Sequence, residues 1–300
     1  MEKKEVITIK NFSKSFGTKN VIKNLSFTVY AGEIFAFLGA NGSGKTTTIR
    51  ALLDIYKPDE GELLINGKRY SSDDSSILGY LPEERGLYLN STVIEILTYF
   101  GELKGFSAKE AKIEGLKYLT RVELLDKANV KANKLSSGQQ QKIQLGITLI
   151  NRPKLLILDE PTKGLDPVNR NFLMEMLLEL NKEGSTILFS THQMEEVEKI
   201  ADRLVMIKDG ERKLYGDVNE VKSHFGNNII RINYKGKLPE NTKLYTFTSE
   251  NYYAEIVPNE GVETASIIKY LAESDLDIIK FEVGAPSLNE IFIKVSNDDI

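Results

Sequence analysis

The chain contains no cysteine in 300 residues, which excludes disulfides, thiolate nucleophiles and cysteine-ligated metals and is compatible with a reducing compartment. It also lacks a basic excess. A net charge of -4 and a pI near 5.5 leave no general electrostatic footprint for nucleic acid. Long apolar runs are missing too: nowhere do about 18 apolar residues follow one another, so nothing reads as a membrane-spanning helix. The first residues, Met1-Glu2-Lys3-Lys4-Glu5, are charged and lead straight into Val6-Ile7-Thr8-Ile9, leaving no room for the apolar core of a signal peptide. What is present is ordinary for a globular protein, 41% hydrophobic and 27% charged, in a length that predicts one large domain and a smaller one.

The most informative stretch is Gly39-Ala40-Asn41-Gly42-Ser43-Gly44-Lys45-Thr46-Thr47. It fits the spacing G-x-x-x-x-G-K-[ST], in which glycines let backbone N–H groups converge on phosphate oxygens that a Cβ would hold away. Lys45 is predicted to neutralise the β- and γ-phosphates and Thr46 to offer its hydroxyl to Mg²⁺. Glu33 to Leu38 before it is a short apolar run that reads as a buried strand. Ile49, Leu52 and Leu53 after it fall on one helical face. The loop therefore sits where a strand meets the positive end of a helix, a favourable place for an anion.

Short runs between Val6 and Val29 predict a small β layer ahead of that strand, with Phe12 and Phe16 as aromatics packing at its edge. Glu62 to Ile65 followed by Asn66-Gly67 carries a hairpin signal, and Ile77 to Leu81 reads as a further strand. From about 87 to 150 the pattern turns helical, with capping boxes predicted at Thr92-Glu95, Ser107-Glu110 and Ser136-Gln139. Leu155 to Leu158 is apolar and ends in Asp159-Glu160, as a buried parallel strand delivering two carboxylates to the sheet's ligand-binding rim would. There Asp159 can reach Mg²⁺ through water, and Glu160 can orient a water against a γ-phosphate. Gly164-Leu165-Asp166-Pro167 reads as a turn, the strand from Thr186 ends at Thr191-His192, and a strand from Leu204 to Ile207 with a turn at Asp209-Gly210 completes the sheet. The pattern restarts around Phe225 to Asn228. The remainder, three strands, a helix, a strand and a terminal helix, forms an α+β module with no chemical constellation.

The phosphate loop, the helical insert, Leu135-Ser136-Ser137-Gly138-Gln139, the Asp159-Glu160 strand end, the Gly164-Leu165-Asp166 turn and His192 have the order and spacing of an ABC-type ATPase cassette, which residues 5 to 222 resemble. The resemblance implies an α/β phosphate-loop NTPase core of mostly parallel sheet, an N-terminal antiparallel β layer and a helical insert. Domain limits of 1–222 for the cassette and 225–300 for the accessory module follow. It also implies ATP and Mg²⁺ as ligands and a head-to-tail pair of cassettes, as homodimer or heterodimer. Ser136, Gly138 and Gln139 of one subunit would then complete the site of the other, Asp166 would lie at the seam, His192 would touch the γ-phosphate and Phe16 would stack on adenine. Catalysis would fall to Glu160 with His192.

Two positions depart from the family pattern. Glu83 stands where a glutamine is usual, and a carboxylate there can accept from metal-bound water but cannot donate as an amide does. Ser137 stands where a second glycine is common. The single cassette with a small C-terminal module, the run Pro82-Glu83-Glu84-Arg85-Gly86-Leu87 and the ending Ser287 to Phe292 resemble bacterial exporter subunits of the sodium-efflux or drug-resistance kind. That implies a separate membrane-spanning permease, indirect membrane contact at the cytoplasmic face and no nucleic-acid partner. A soluble ABC-type ATPase working on DNA or ribosomes is the other reading, disfavoured by one cassette, no heptad insert and an acidic balance.

Overall fold

The structure, a computed structural model, describes residues 3–71, 77–84, 86–226 and 229–296. Arg85, Asn227 and Asn228 of the sequence reading lie outside the described residues. The chain divides into two compact units, Met1–Val218 and Asn219–Ile300.

The first unit opens with β1 (Glu5–Phe16) and β2 (Lys19–Tyr30), then β3 (Ile34–Leu38), α1 (Lys45–Leu52), β4 (Glu60–Ile65) and β5 (Leu78–Leu81). The helical insert holds α2 (Val93–Leu103), α3 (Ala108–Arg121) and α4 (Ser137–Leu149). It is followed by β6 (Leu155–Asp159), α5 (Pro167–Lys182), β7 (Thr186–Thr191), α6 (Met194–Ile200), β8 (Arg203–Lys208) and β9 (Glu211–Asp217). All three predicted capping boxes form, with both reciprocal bonds, at Thr92, Ser107 and Ser136.

The central sheet has the order β5-β6-β7-β3-β8-β9, parallel except for the last pair. Every residue of β3, β6 and β7 is buried, which is why these strands read as unbroken apolar runs rather than alternating ones. A second, antiparallel sheet, β2-β1-β4, packs its inner face on the first, and Phe27 stacks on Phe35 with ring centroids 5.4 Å apart. Phe12 belongs to this core, fully buried.

Two expectations are corrected. The central sheet does not end at the Asp209-Gly210 turn: β9 returns antiparallel along β8, a strand whose mixed burial hid it from an apolar-run reading. The Asn66-Gly67 turn forms with both residues at positive φ, yet among the described residues it closes only the single bridge Ile65–Lys68. The partner of β4 is β1, because burying Leu63 and Ile65 against the core outweighs a local hairpin.

Beyond α7 (Val218–His224), the second unit contains β10 (Ile229–Lys235), β11 (Tyr245–Glu250), β12 (Tyr253–Pro258), α8 (Thr264–Ala272), β13 (Asp277–Gly284) and α9 (Leu288–Ser296). Its antiparallel sheet has the order β11-β12-β10-β13, and its core joins Ile230, Ile232, Tyr245 and Ile256 to Ile267 and Leu271 of α8.

Candidate active site

Strand register brings the chemistry together. β7 lies between β3 and β6, with Leu38 level with Thr191 and Asp159 level with Ser190. The loop after β3, the carboxylates ending β6 and the histidine after β7 thus emerge side by side at the strands' carboxyl ends. Gly42 and Gly44 adopt φ of 79° and 110°, left-handed values that aim the loop back over the start of α1. A Cβ on Gly44 would lie 2.2 Å from Ile22 Cδ1, so glycine is also required by packing.

Asn41, Gly42, Gly44, Lys45, Thr46, Thr47, Glu83 and Glu160 line one cleft of about 450 Å³, together with Lys19, Val21 and Lys163. Lys45 Nζ donates to the carbonyls of Gly39 at 2.8 Å and Ala40 at 3.3 Å and lies 3.0 Å from Glu160 Oε1, an ion-pair distance without hydrogen-bond alignment. Both side chains are buried, 6% and 5% exposed. Glu160 has φ 48°, an unfavourable value for a side-chain-bearing residue at a strand end. Its Oε2 lies 2.9 Å from His192 Nδ1, and an ionised carboxylate there requires the ring proton on Nδ1.

Ser190 clamps the two carboxylate residues. Its hydroxyl donates to Asp159 Oδ1 at 2.5 Å and accepts the Glu160 N–H at 3.0 Å. Burial pushes the Asp159 carboxyl above its ordinary range, against the hydrogen bond from Ser190. Asp159 Oδ2 and Ser43 Oγ are buried with no hydrogen-bond partner among the described residues. Glu83 behaves oppositely: a 2.5 Å bond from Lys163 Nζ holds its carboxyl below the usual range and raises the ammonium of Lys163 in return.

The signature residues stand apart from this cleft. Ser136 caps α4, its hydroxyl accepting from Gln139 N at 3.3 Å while Gln139 Oε1 accepts from Ser136 N at 2.9 Å. Asp166 caps α5 by accepting from Asn169 N at 3.0 Å and from Asn169 Nδ2 at 2.6 Å. A Cβ on Gly138 would lie 3.2 Å from that same Asn169 Nδ2, so Gly138 and Asp166 meet through Asn169. Phe16, 45% exposed, stands edge-on to Tyr56 at 5.3 Å and faces Lys19 across the β1–β2 turn. Sequence reasoning passed over Ser190, Lys163 and Asn169. Only the Lys163–Glu83 pairing had a signal, in the unusual carboxylate at 83.

The sequence matches the ABC transporter family over residues 22–163, and the C-terminal domain of DrrA1-3-like ATP-binding proteins over residues 216–296. It is 38% identical to an uncharacterised ABC transporter ATP-binding protein of Methanocaldococcus jannaschii over 97% of this chain and 99% of that one. The chain belongs to the ABC transporter ATP-binding proteins. The Nod factor export ATP-binding protein I of Burkholderia lata is 39% identical over 75% of this chain and 76% of its own length. Among solved structures, a dimeric ATP-binding cassette in a post-hydrolysis state with ADP and Pi superposes with a TM-score of 0.64 at 28% identity, covering 71% of this chain and 98% of that one. The protein is accordingly an ATP-hydrolysing subunit of an ABC transporter, with the phosphate-loop α/β fold of that family. Among the described residues no helix is long and apolar enough to cross a membrane.

Proposed function

We propose that two copies of this cassette, or one copy and a second cassette, close on ATP and drive export through a separate membrane-spanning permease. The observation that carries this reading is a division within one chain. Lys45, Thr46 and Glu160 line one cleft, with Asp159 beside Glu160 at the same strand end and His192 Nδ1 2.9 Å from Glu160, whereas Ser136 and Gly138 start a helix that does not line it. The export name of the Burkholderia relative supports the direction.

In this reading the loop amides and Lys45 bind the β- and γ-phosphates, and Phe16 stacks on adenine. Glu160 accepts a proton of the attacking water, whose oxygen bonds to the γ-phosphorus as the bond to the β-phosphate oxygen breaks. His192 holds Glu160 in place and contacts the γ-phosphate, while the partner's signature helix supplies Ser136 and the N-terminal amides around Gly138 against the developing charge. Asp166, through Asn169, positions that helix at the seam.

The donor set fits Mg²⁺. Among the described residues no three His, Cys, Asp or Glu side chains form a metal cage, whereas Mg²⁺ uses one or two carboxylates and completes its shell with water and phosphate. Thr46, Asp159 with its unpartnered Oδ2, and Glu83 would hold it, and it would screen charge on the phosphates.

The test is sedimentation of Glu160→Gln with ATP, with and without Ser136→Arg in the same chain. Glu160→Gln is expected to form an ATP-dependent dimer. Adding Ser136→Arg should abolish that dimer while ATP affinity, measured by calorimetry, stays within about twofold, because Ser136 serves the other subunit's site. ATP-dependent dimers that survive Ser136→Arg, over and above any seen without nucleotide, would refute the shared site.

A further inference from the structure

We propose that the outer edge of β13 is a self-complementary contact at which a second copy of this chain pairs, independently of nucleotide. The inference rests on the two-subunit reading for the assembly in which it acts, but the contact lies in the second unit and uses none of the ATP chemistry.

β13 is the last strand of its sheet, bonded to β10 on one side, and among the described residues no strand pairs with its other side. Such an edge presents unpaired backbone N–H and C=O groups, a template for another chain. Its apolar residues are laid out as though the sheet continued. Phe281 lies opposite Ile232 and Val283 opposite Ile230, so both pairs share the face that packs on α8. Ile230 and Ile232 are fully buried there, but Phe281 and Val283 remain 36% and 41% exposed. The core face runs to the margin of the sheet and stops uncovered.

The charges identify the occupant. On the opposite face of β13, Lys280 and Glu282 pair with each other at 3.1 Å, both exposed. When β13 is set antiparallel to its own copy with Phe281 facing Phe281, Lys280 falls opposite Glu282 of the second copy and Glu282 opposite its Lys280. Ile279 then falls opposite Val283. Two opposite-charge cross-strand pairs and an aromatic pair result from one symmetric register, the isologous arrangement that a twofold axis demands. The other sheet edge cannot do this, since β11 carries Glu250 and no lysine or arginine.

Ile279 also sets the limits of the contact. It is the extra residue of a bulge between the Lys280–Asn233 and Ile278–Tyr234 pairs, and a bulge interrupts ladder propagation along an edge. The pairing is therefore short and fixed in register. It acts as a tether that raises the effective concentration of the two cassettes for each other rather than as a tight interface of its own.

The test uses the full chain without nucleotide in sedimentation velocity at up to about 100 µM, where a weak tether is visible. Concentration-dependent dimers are expected for the unmodified chain. Lys280→Glu and Glu282→Lys should each weaken self-association about tenfold, because each places two pairs of like charges opposite one another. An equimolar mixture of the two variants should restore association, since the mixed pair again sets glutamate against lysine. Both side chains are exposed, and because Glu282 lies opposite Arg231, unchanged melting of each variant is required before its association is read. A monomeric unmodified chain, single variants that associate normally or a mixture that stays monomeric would each overturn the proposal. The cassette reading is judged separately by ATP-dependent dimers of Glu160→Gln. Their loss alongside intact nucleotide-free dimers would sink that reading and leave this one standing.

Discussion

Lys45 is paired with Glu160, the residue that positions the water in the proposed mechanism, and Glu160→Gln should therefore tighten ATP binding as well as stop turnover. The Lys45 Nζ–Glu160 Oε1 distance is 3.0 Å with both groups 5–6% exposed. At an effective dielectric of about 20, two unit charges at that separation attract by roughly 5 kcal/mol before desolvation. Much of this is offset by the desolvation that burying the pair has already cost, and Lys45 keeps the Gly39 and Ala40 carbonyls when the pair is broken. A net competition of about 1–2 kcal/mol is taken to remain, equivalent to about tenfold in affinity. Glutamine keeps the shape and an acceptor for His192 but removes the charge, so the γ-phosphate meets neither a competitor for Lys45 nor a like charge. The assay is calorimetric ATP titration without Mg²⁺ at low protein concentration, where dimer closure does not contribute. Turnover, measured separately with Mg²⁺, should fall by at least about 100-fold. An ATP affinity equal to or weaker than that of the unmodified chain would refute the argument. Lys45→Ala is the poorer probe, because it leaves the buried Glu160 without its cation and with only His192 beside it, a change that also costs stability.

Two further predictions concern stability. Gly39→Ala should lower Tm by about 4–8 °C, because the new Cβ would stand 2.6 Å from the Ile207 carbonyl oxygen on β8, a backbone atom that cannot yield without disturbing strand pairing. Gly138→Ala, whose Cβ would meet only the flexible Asn169 side chain at 3.2 Å, should leave Tm within about 2 °C, and equal melting of the two variants in calorimetry would contradict the distinction. Burial raises the carboxyl of Glu33 above its ordinary value of 4.5, despite the Tyr30 N–H at 2.8 Å and Arg203 at 3.1 Å. An acid whose native pKa is raised binds its proton more tightly when folded, so its contribution to stability declines as pH rises from 4.5 through the raised value. The stability of Glu33→Gln relative to the unmodified chain, from urea unfolding at successive pH values, should therefore increase with pH over that window, by at most about 1.4 kcal/mol per unit. A flat or opposite difference would show that Arg203, not burial, dominates.

What the sequence disclosed depended on how far apart the cooperating residues lie in it. The loop from Gly39 to Thr46 is legible because strand, glycines, lysine and helix are contiguous, and the caps at Thr92, Ser107 and Ser136 because each spans three residues. β9 escaped because an exposed antiparallel edge strand needs no apolar run. The Asn66-Gly67 turn misled because turn chemistry is local while strand partnership is decided by burial. The site shows the same division. Asp159 and Glu160 announce themselves, but the serine that aligns them is 31 and 30 residues away and enters only through the register of β6 against β7. Glu83 taken alone looks like a defect, an added negative charge beside Asp159, whose carboxyl is raised in part by it. Lys163, 80 residues on, changes that meaning. With its ammonium 2.5 Å from Oε1, position 83 carries a neutral pair in place of a neutral amide, and Lys163 does not engage the second carboxylate oxygen, the acceptor that the proposed site offers to metal-bound water. Because Lys163 is 57% exposed, solvent screens the pair and leaves it weak enough to exchange. The carboxylate at 83 is thus to be read together with Lys163, a pairing visible only where the fold sets both in the same cleft.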